Sequence, residues 1–133
     1  MNHQDTKAPS VEIDRIASEV VDAAFKVHSA LGPGLLESVY EVCLAHELHR
    51  RGLSFARQVI LPVEYEGLKL ESGLRLDLVV ADSVVVEIKA VEDLLPVHKA
   101  QLLTYLKLSD HRLGLLINFN VSLIKNGIKR LAL

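Results

Sequence analysis

Apolar positions recur first at helical spacing and then at every second residue. Ile13, Ile16, Ala17, Val20, Ala24, Val27 and Leu31 step by three or four, the stripe of an amphipathic helix. Ser10 stands where a cap is wanted, and Glu12 and Asp14 fall in the first turn, where the helix dipole favours acids. His28, beside the stripe, reads as a core or capping histidine. Gly32-Pro33-Gly34 stops this helix. A second helix is expected from Leu36 to Arg51, with Val39, Tyr40, Cys43, Leu44 and Leu48 on its apolar side and Glu47, His49, Arg50 and Arg51 on its wet side. After Gly52 the period becomes two. Phe55 to Glu66 reads as a strand, Gly67 as a turn, and Leu68–Val80 and Val84–Val91 as two further strands joined at Ala81-Asp82-Ser83. Pro96 opens a third helix, running to Leu108. Leu113–Phe119 is a short apolar strand, and Asn126-Gly127 marks a turn before a last one. The order ααβββαβ(β) predicts an α/β or α+β fold, a central mixed sheet flanked by helices. The polar residues 1–9 read as a disordered tail, and residues 10–133 as one domain.

Composition narrows the class. A chain of 133 residues fits a single domain, and with half its residues hydrophobic it can bury a core. With few aromatics and no Trp, that core must be aliphatic. No apolar run approaches the length of a membrane span, and MNHQDTKAPS lacks a signal-peptide core, so a cytoplasmic protein is expected. The single cysteine, Cys43, excludes an internal disulfide framework and a Cys-rich zinc site. The net charge of −2 does not by itself point to nucleic acid. Its distribution is uneven, however: residues 94–133 carry six Lys and Arg against Asp110 alone. That end could face a polyanion, or it could be an ordinary solvated surface.

The hairpin RLDLVVADSVVVEIKA holds Asp77, Glu87 and Lys89 inside an otherwise aliphatic run. If the turn is three residues long, Val80 lies opposite Val84 and Asp77 opposite Glu87. Lys89 then shares their face, while Leu76, Leu78, Val84, Val86 and Ile88 take the other. Like charges directly opposite destabilise a strand pair. One resolution is a Lys–Glu–Asp salt-bridge network on a wet sheet face. The other is a divalent cation on hard carboxylate oxygens, Mg²⁺ or Mn²⁺, with the lysine beside it, a combination suited to phosphodiester hydrolysis. Two further clusters bear on the choice: Glu37 with Tyr40 on the second helix, and Gln101 with Tyr105, one turn apart on the third.

Together these residues resemble a known family. Asp77 followed by Glu87-x-Lys89 resembles the PD-(D/E)XK nuclease signature, and Gln101-x-x-x-Tyr105 resembles the extra motif of its RecB-type members. Gly34-x-x-Glu37-x-x-Tyr40 is similar to the motif of the GxxExxY family of that superfamily, as are AQLLTYLKL, GLLINFNV and GIKR. The resemblance covers residues 12–131. Leu76 stands where the superfamily name has proline. The resemblance implies a restriction-endonuclease-like core with Asp77, Glu87 and Lys89 as its metal and catalytic centre. Glu37 would complete the metal site or orient water, the Ile88 carbonyl would add a ligand, and Gln101 and Tyr105 would contact phosphate or orient the acids. The expected function is a Mg²⁺- or Mn²⁺-dependent nuclease, acting on DNA rather than RNA and able to form a homo-oligomer. A catalytically silent nuclease fold that binds nucleic acid or protein, or forms a scaffold, is the alternative. A hydrolase of small phosphoesters is a third reading.

Overall fold

The computed structural model describes residues 9–133, so of the expected tail 1–9 all but Pro9 lies outside the described residues. Three helices, α1 (Ser10–Leu31), α2 (Glu37–Arg50) and α3 (Pro96–Ser109), accompany five strands. The strands are β1 (Phe55–Tyr65), β2 (Leu68–Val80), β3 (Val84–Lys89), β4 (Leu113–Asn118) and β5 (Ile128–Ala132). The order matches the reading from periodicity. Ser10 is already helical: Pro9 holds the cap position, with no side-chain cap bond. Proline presets the backbone angle but offers no side-chain acceptor.

The strands lie side by side in chain order in one mixed sheet. β3 and β4 pair in parallel and every other neighbouring pair is antiparallel. A parallel pair needs a crossover, and α3 supplies it. The helices cover both sheet faces, because β3 and β4 are apolar on both. On one face α1 and α2 pack through Ile16, Val20, Leu44 and Leu48 against Leu78, Val80, Val86, Ile88, Leu115 and Ile117. On the other, Leu102 and Leu106 of α3 pack against Val85, Leu116, Val79 and Leu76.

Leu76 corrects the expectation. Strict alternation puts it with Leu78 and Ile88, but it belongs to the α3-side core. The same inversion occurs on β1, where Phe55 packs on the α1/α2 side and Val59 on the α3 side. Between these residues the ladder Arg57↔Leu78, Val59↔Leu76 skips one pair, Gln58 and Asp77, and Gln58 is left-handed with φ of 52°. A left-handed residue rotates the strand about its axis, so the side chains on either side of it no longer follow one alternation.

Candidate active site

The β2–β3 hairpin turns through Ala81, Asp82 and Ser83, with Ser83 N–H donating to the Val80 carbonyl (3.0 Å). Three residues in the turn fix Val80 opposite Val84, as the hydrophobic pattern requires. The backbone ladder runs only to Leu78↔Val86. Beyond it the two acids bridge the strands themselves. The Asp77 N–H donates to Glu87 Oε1 (3.1 Å), and the Ile88 N–H donates to Asp77 Oδ2 (2.9 Å). Each carboxylate thus takes the place of a backbone carbonyl, which joins the strands and holds the two acids side by side.

Both acids are buried, Asp77 at 4% and Glu87 at 5% exposure. Lys89 is half-buried and, among the described residues, enters no ion pair. The salt-bridged wet face is therefore not what this sheet builds. Instead two neighbouring carboxyls compete for charge in a low-dielectric site. Burial, and then the adjacent Asp77 carboxylate, push the Glu87 carboxyl up to about 8, with the Lys89 ammonium pulling weakly the other way.

The second oxygen of each acid, Asp77 Oδ1 and Glu87 Oε2, accepts no N–H donor among the described residues, and the two carboxyls lie against each other. No fully buried side-chain polar atom there lacks a partner, so these oxygens reach solvent. Two adjacent hard oxygen donors at a solvent-reachable edge fit a divalent cation that keeps several of its waters. Among the described residues no three His, Cys, Asp or Glu side chains form a cluster that could hold a metal.

Glu37 is the first residue of α2, and the loop before it places it. Gly32 and Gly34 adopt φ of 72° and 96°, conformations that side chains beyond glycine resist. Tyr40 locks this loop from within. Its hydroxyl donates to the Gly32 carbonyl (2.6 Å) and accepts from the Leu35 N–H (3.1 Å), while its ring stacks on Phe119 at 4.6 Å. The motif's glycine and tyrosine are thus the scaffold of its glutamate. Tyr40→Phe should cost about 1–3 kcal/mol by leaving two backbone groups without partners. Thermal denaturation will read this as a lowered Tm, and an unchanged Tm would show that the loop holds without the hydroxyl. The Glu37 side chain is exposed but feels the site. Partial burial raises its pKa, Lys89 opposes this, and Asp77 and Glu41 add to it.

α3 brings Gln101 to Lys89: both line a groove with Val97, His98, Ala100 and Thr104. Gln101 Nε2 donates to the Tyr105 hydroxyl (3.0 Å), and Tyr105 packs half-buried on the α3-side core. The hydrogen bond of this pair is to each other rather than to either acid. His98 Nδ1 accepts from the Leu95 N–H (2.9 Å) and so caps α3.

Several residues that shape the site carry no sequence signal of their role. Asn118, buried and paired with Lys89 across β3–β4, accepts from the Val91 and Asn120 N–H groups and donates to the Val91 carbonyl. It holds the chain where it leaves β3, just past the lysine. Glu47, expected on the wet face of α2, is buried against Lys26 (3.3 Å) and Arg51 (3.3 Å). Glu41 is likewise buried, held by Arg57 and Gln58 of β1.

A mixed sheet between helices, with an acid pair and a lysine on adjacent strands at one end, places this chain among the restriction-endonuclease-like α+β folds. The model of the PD-(D/E)XK nuclease superfamily matches residues 14–131, and the chain belongs to that superfamily. Comparison with curated proteins and with solved structures gives no match. Among the described residues no helix is long and apolar enough to cross a membrane.

Proposed function

We propose that this protein is a Mg²⁺- or Mn²⁺-dependent nuclease that hydrolyses phosphodiester bonds in DNA, acting in the cytoplasm. The motif Gly34-x-x-Glu37-x-x-Tyr40 supports its placement in the GxxExxY family. The observation that carries the reading is the buried Asp77–Glu87 pair, interlocked through backbone N–H groups and left, among the described residues, without an ion-paired lysine. Two carboxyls held this close in a buried site can both ionise only when a cation compensates them; otherwise one keeps its proton.

Asp77 Oδ1, Glu87 Oε2 and the Ile88 carbonyl would hold the ion. When bound, it polarises the scissile phosphate and lowers the pKa of a bound water. Lys89, half-buried beside the acids, would hold a phosphate oxygen or position the attacking water. Glu37, at the positive end of α2, would add a ligand or orient that water. Gln101 would steady the phosphate from the α3 side of the Lys89 groove, with Tyr105 fixing the Gln101 rotamer through their hydrogen bond. Lys99, Lys107, Lys125 and Lys129 would add backbone contacts whose strength falls with salt. Pairing of two copies through their exposed sheet edges would give a homo-oligomer.

Purified protein should be incubated with linear, circular and single-stranded DNA and with RNA, under Mg²⁺, Mn²⁺ or EDTA. Cleavage of DNA with either metal, absent in EDTA, is the expected result. No cleavage of any substrate with either metal would overturn the reading in favour of a silent nuclease fold.

A further inference from the structure

Glu41 lies one turn beyond Glu37 on α2 and is 6% exposed. A buried carboxylate away from the acid pair needs partners, and β1 supplies them. Arg57 donates to Oε2 through Nε (3.2 Å) and Nη2 (3.0 Å), and Gln58 Nε2 donates to Oε1 (2.7 Å) and Oε2 (3.0 Å). Four bonds from two consecutive residues grip one carboxylate. Gln58 is also the residue with φ of 52° at the skipped step of the β1–β2 ladder, the step that belongs to Asp77. Glutamine has no intrinsic preference for left-handed backbone, so something must hold it there. The Glu41 carboxylate is positioned to do so.

The gap has a consequence at the acid pair. Asp77 is not paired with β1 where the regular register would pair it, and its N–H donates to Glu87 Oε1 instead. We infer that Glu41 is a positioning residue: by clamping Arg57 and Gln58 it holds the left-handed break in β1 opposite Asp77 and so keeps Asp77 and Glu87 interlocked. Its effect on catalysis rests on the nuclease reading above; its effect on the geometry of the acids does not.

The test separates the two. Glu41→Ala releases the clamp, and Glu41→Ala/Gln58→Gly restores the turn without it, because glycine occupies the left-handed region without strain. In metal-free protein, hydrogen exchange at the Asp77 and Ile88 amides, which bond the two carboxylates, should rise about tenfold or more in Glu41→Ala relative to the β4 amides. The double variant should return it close to wild type. Mn²⁺ affinity should follow the same pattern, falling about tenfold in the single variant and recovering in the double. Exchange at Asp77 and Ile88 that is unchanged in Glu41→Ala, that rises only in step with the β4 amides, or that glycine does not restore would overturn the proposal. If wild type binds no Mn²⁺, the nuclease reading fails, and the amide exchange alone decides the clamp.

Discussion

Asp77→Ala protein will keep its fold and lose metal-dependent DNA cleavage, by roughly 10³-fold or more, since a metal centre contributes several kcal/mol of transition-state stabilisation. The loss has two parts. The substitution removes one of two adjacent oxygen donors, and it removes the acceptor of the Ile88 N–H, leaving only the residue 77 N–H to Glu87 bond to tie the strands beyond the backbone ladder. Lys89→Ala should cost about 10²–10³-fold in kcat, typical of removing one preorganised donor to developing charge. Its effect on Mn²⁺ affinity should be small. Because Leu78, Val80, Val84 and Val86 hold the hairpin through the α1/α2-side core, neither variant should unfold. Circular dichroism and cleavage assays in parallel check this. Residual cleavage within a few-fold of wild type in Asp77→Ala would remove it from the metal site.

Glu87→Gln should stabilise the metal-free protein at alkaline pH and flatten its pH dependence. The Glu87 carboxyl lies near 8 in the folded chain, against about 4.5 when exposed. Between those values the folded state holds a proton that the unfolded state has released, so stability falls as pH rises. From pH 5 to pH 8.5 the metal-free wild type should lose on the order of 4 kcal/mol. Glutamine is neutral throughout, keeps an oxygen for the Asp77 N–H, and can donate to the Asp77 carboxylate. Urea titrations at several pH values measure the slope. A slope of unchanged size in Glu87→Gln would assign the dependence to other groups. Added Mn²⁺ should stabilise the wild type more at pH 8 than at pH 5.5, because the ligand must be deprotonated to bind.

Much of this site can be read before any coordinates. A three-residue turn at Ala81-Asp82-Ser83 puts Asp77 across from Glu87, although strands apolar on both faces do not by themselves fix that turn length. Proline before a helical stripe locates α3, and with it Gln101 and Tyr105. What the sequence hides depends on a single backbone angle and on long-range pairing. Nothing in glutamine's chemistry announces φ of 52° at Gln58, so the strand inversion that moves Leu76 to the α3 side leaves no periodic trace. Glu41 and Glu47 look like solvated helix acids because their partners, Arg57 and Lys26, come from other elements. Asn118 reads as an ordinary strand end, and its clamp on Val91 becomes visible only once β3 and β4 lie side by side.

The proposed nuclease activity depends on the Asp77–Glu87 pair binding a divalent cation. Calorimetric titration of metal-free protein with Mn²⁺ near pH 7, repeated in buffers of different ionisation enthalpy, tests it most directly. One ion should bind per chain with release of close to one proton, as Glu87 gives up the proton it holds at that pH, and this binding should be lost in Asp77→Ala. Absence of Mn²⁺ binding, or binding that Asp77→Ala leaves untouched, would contradict it.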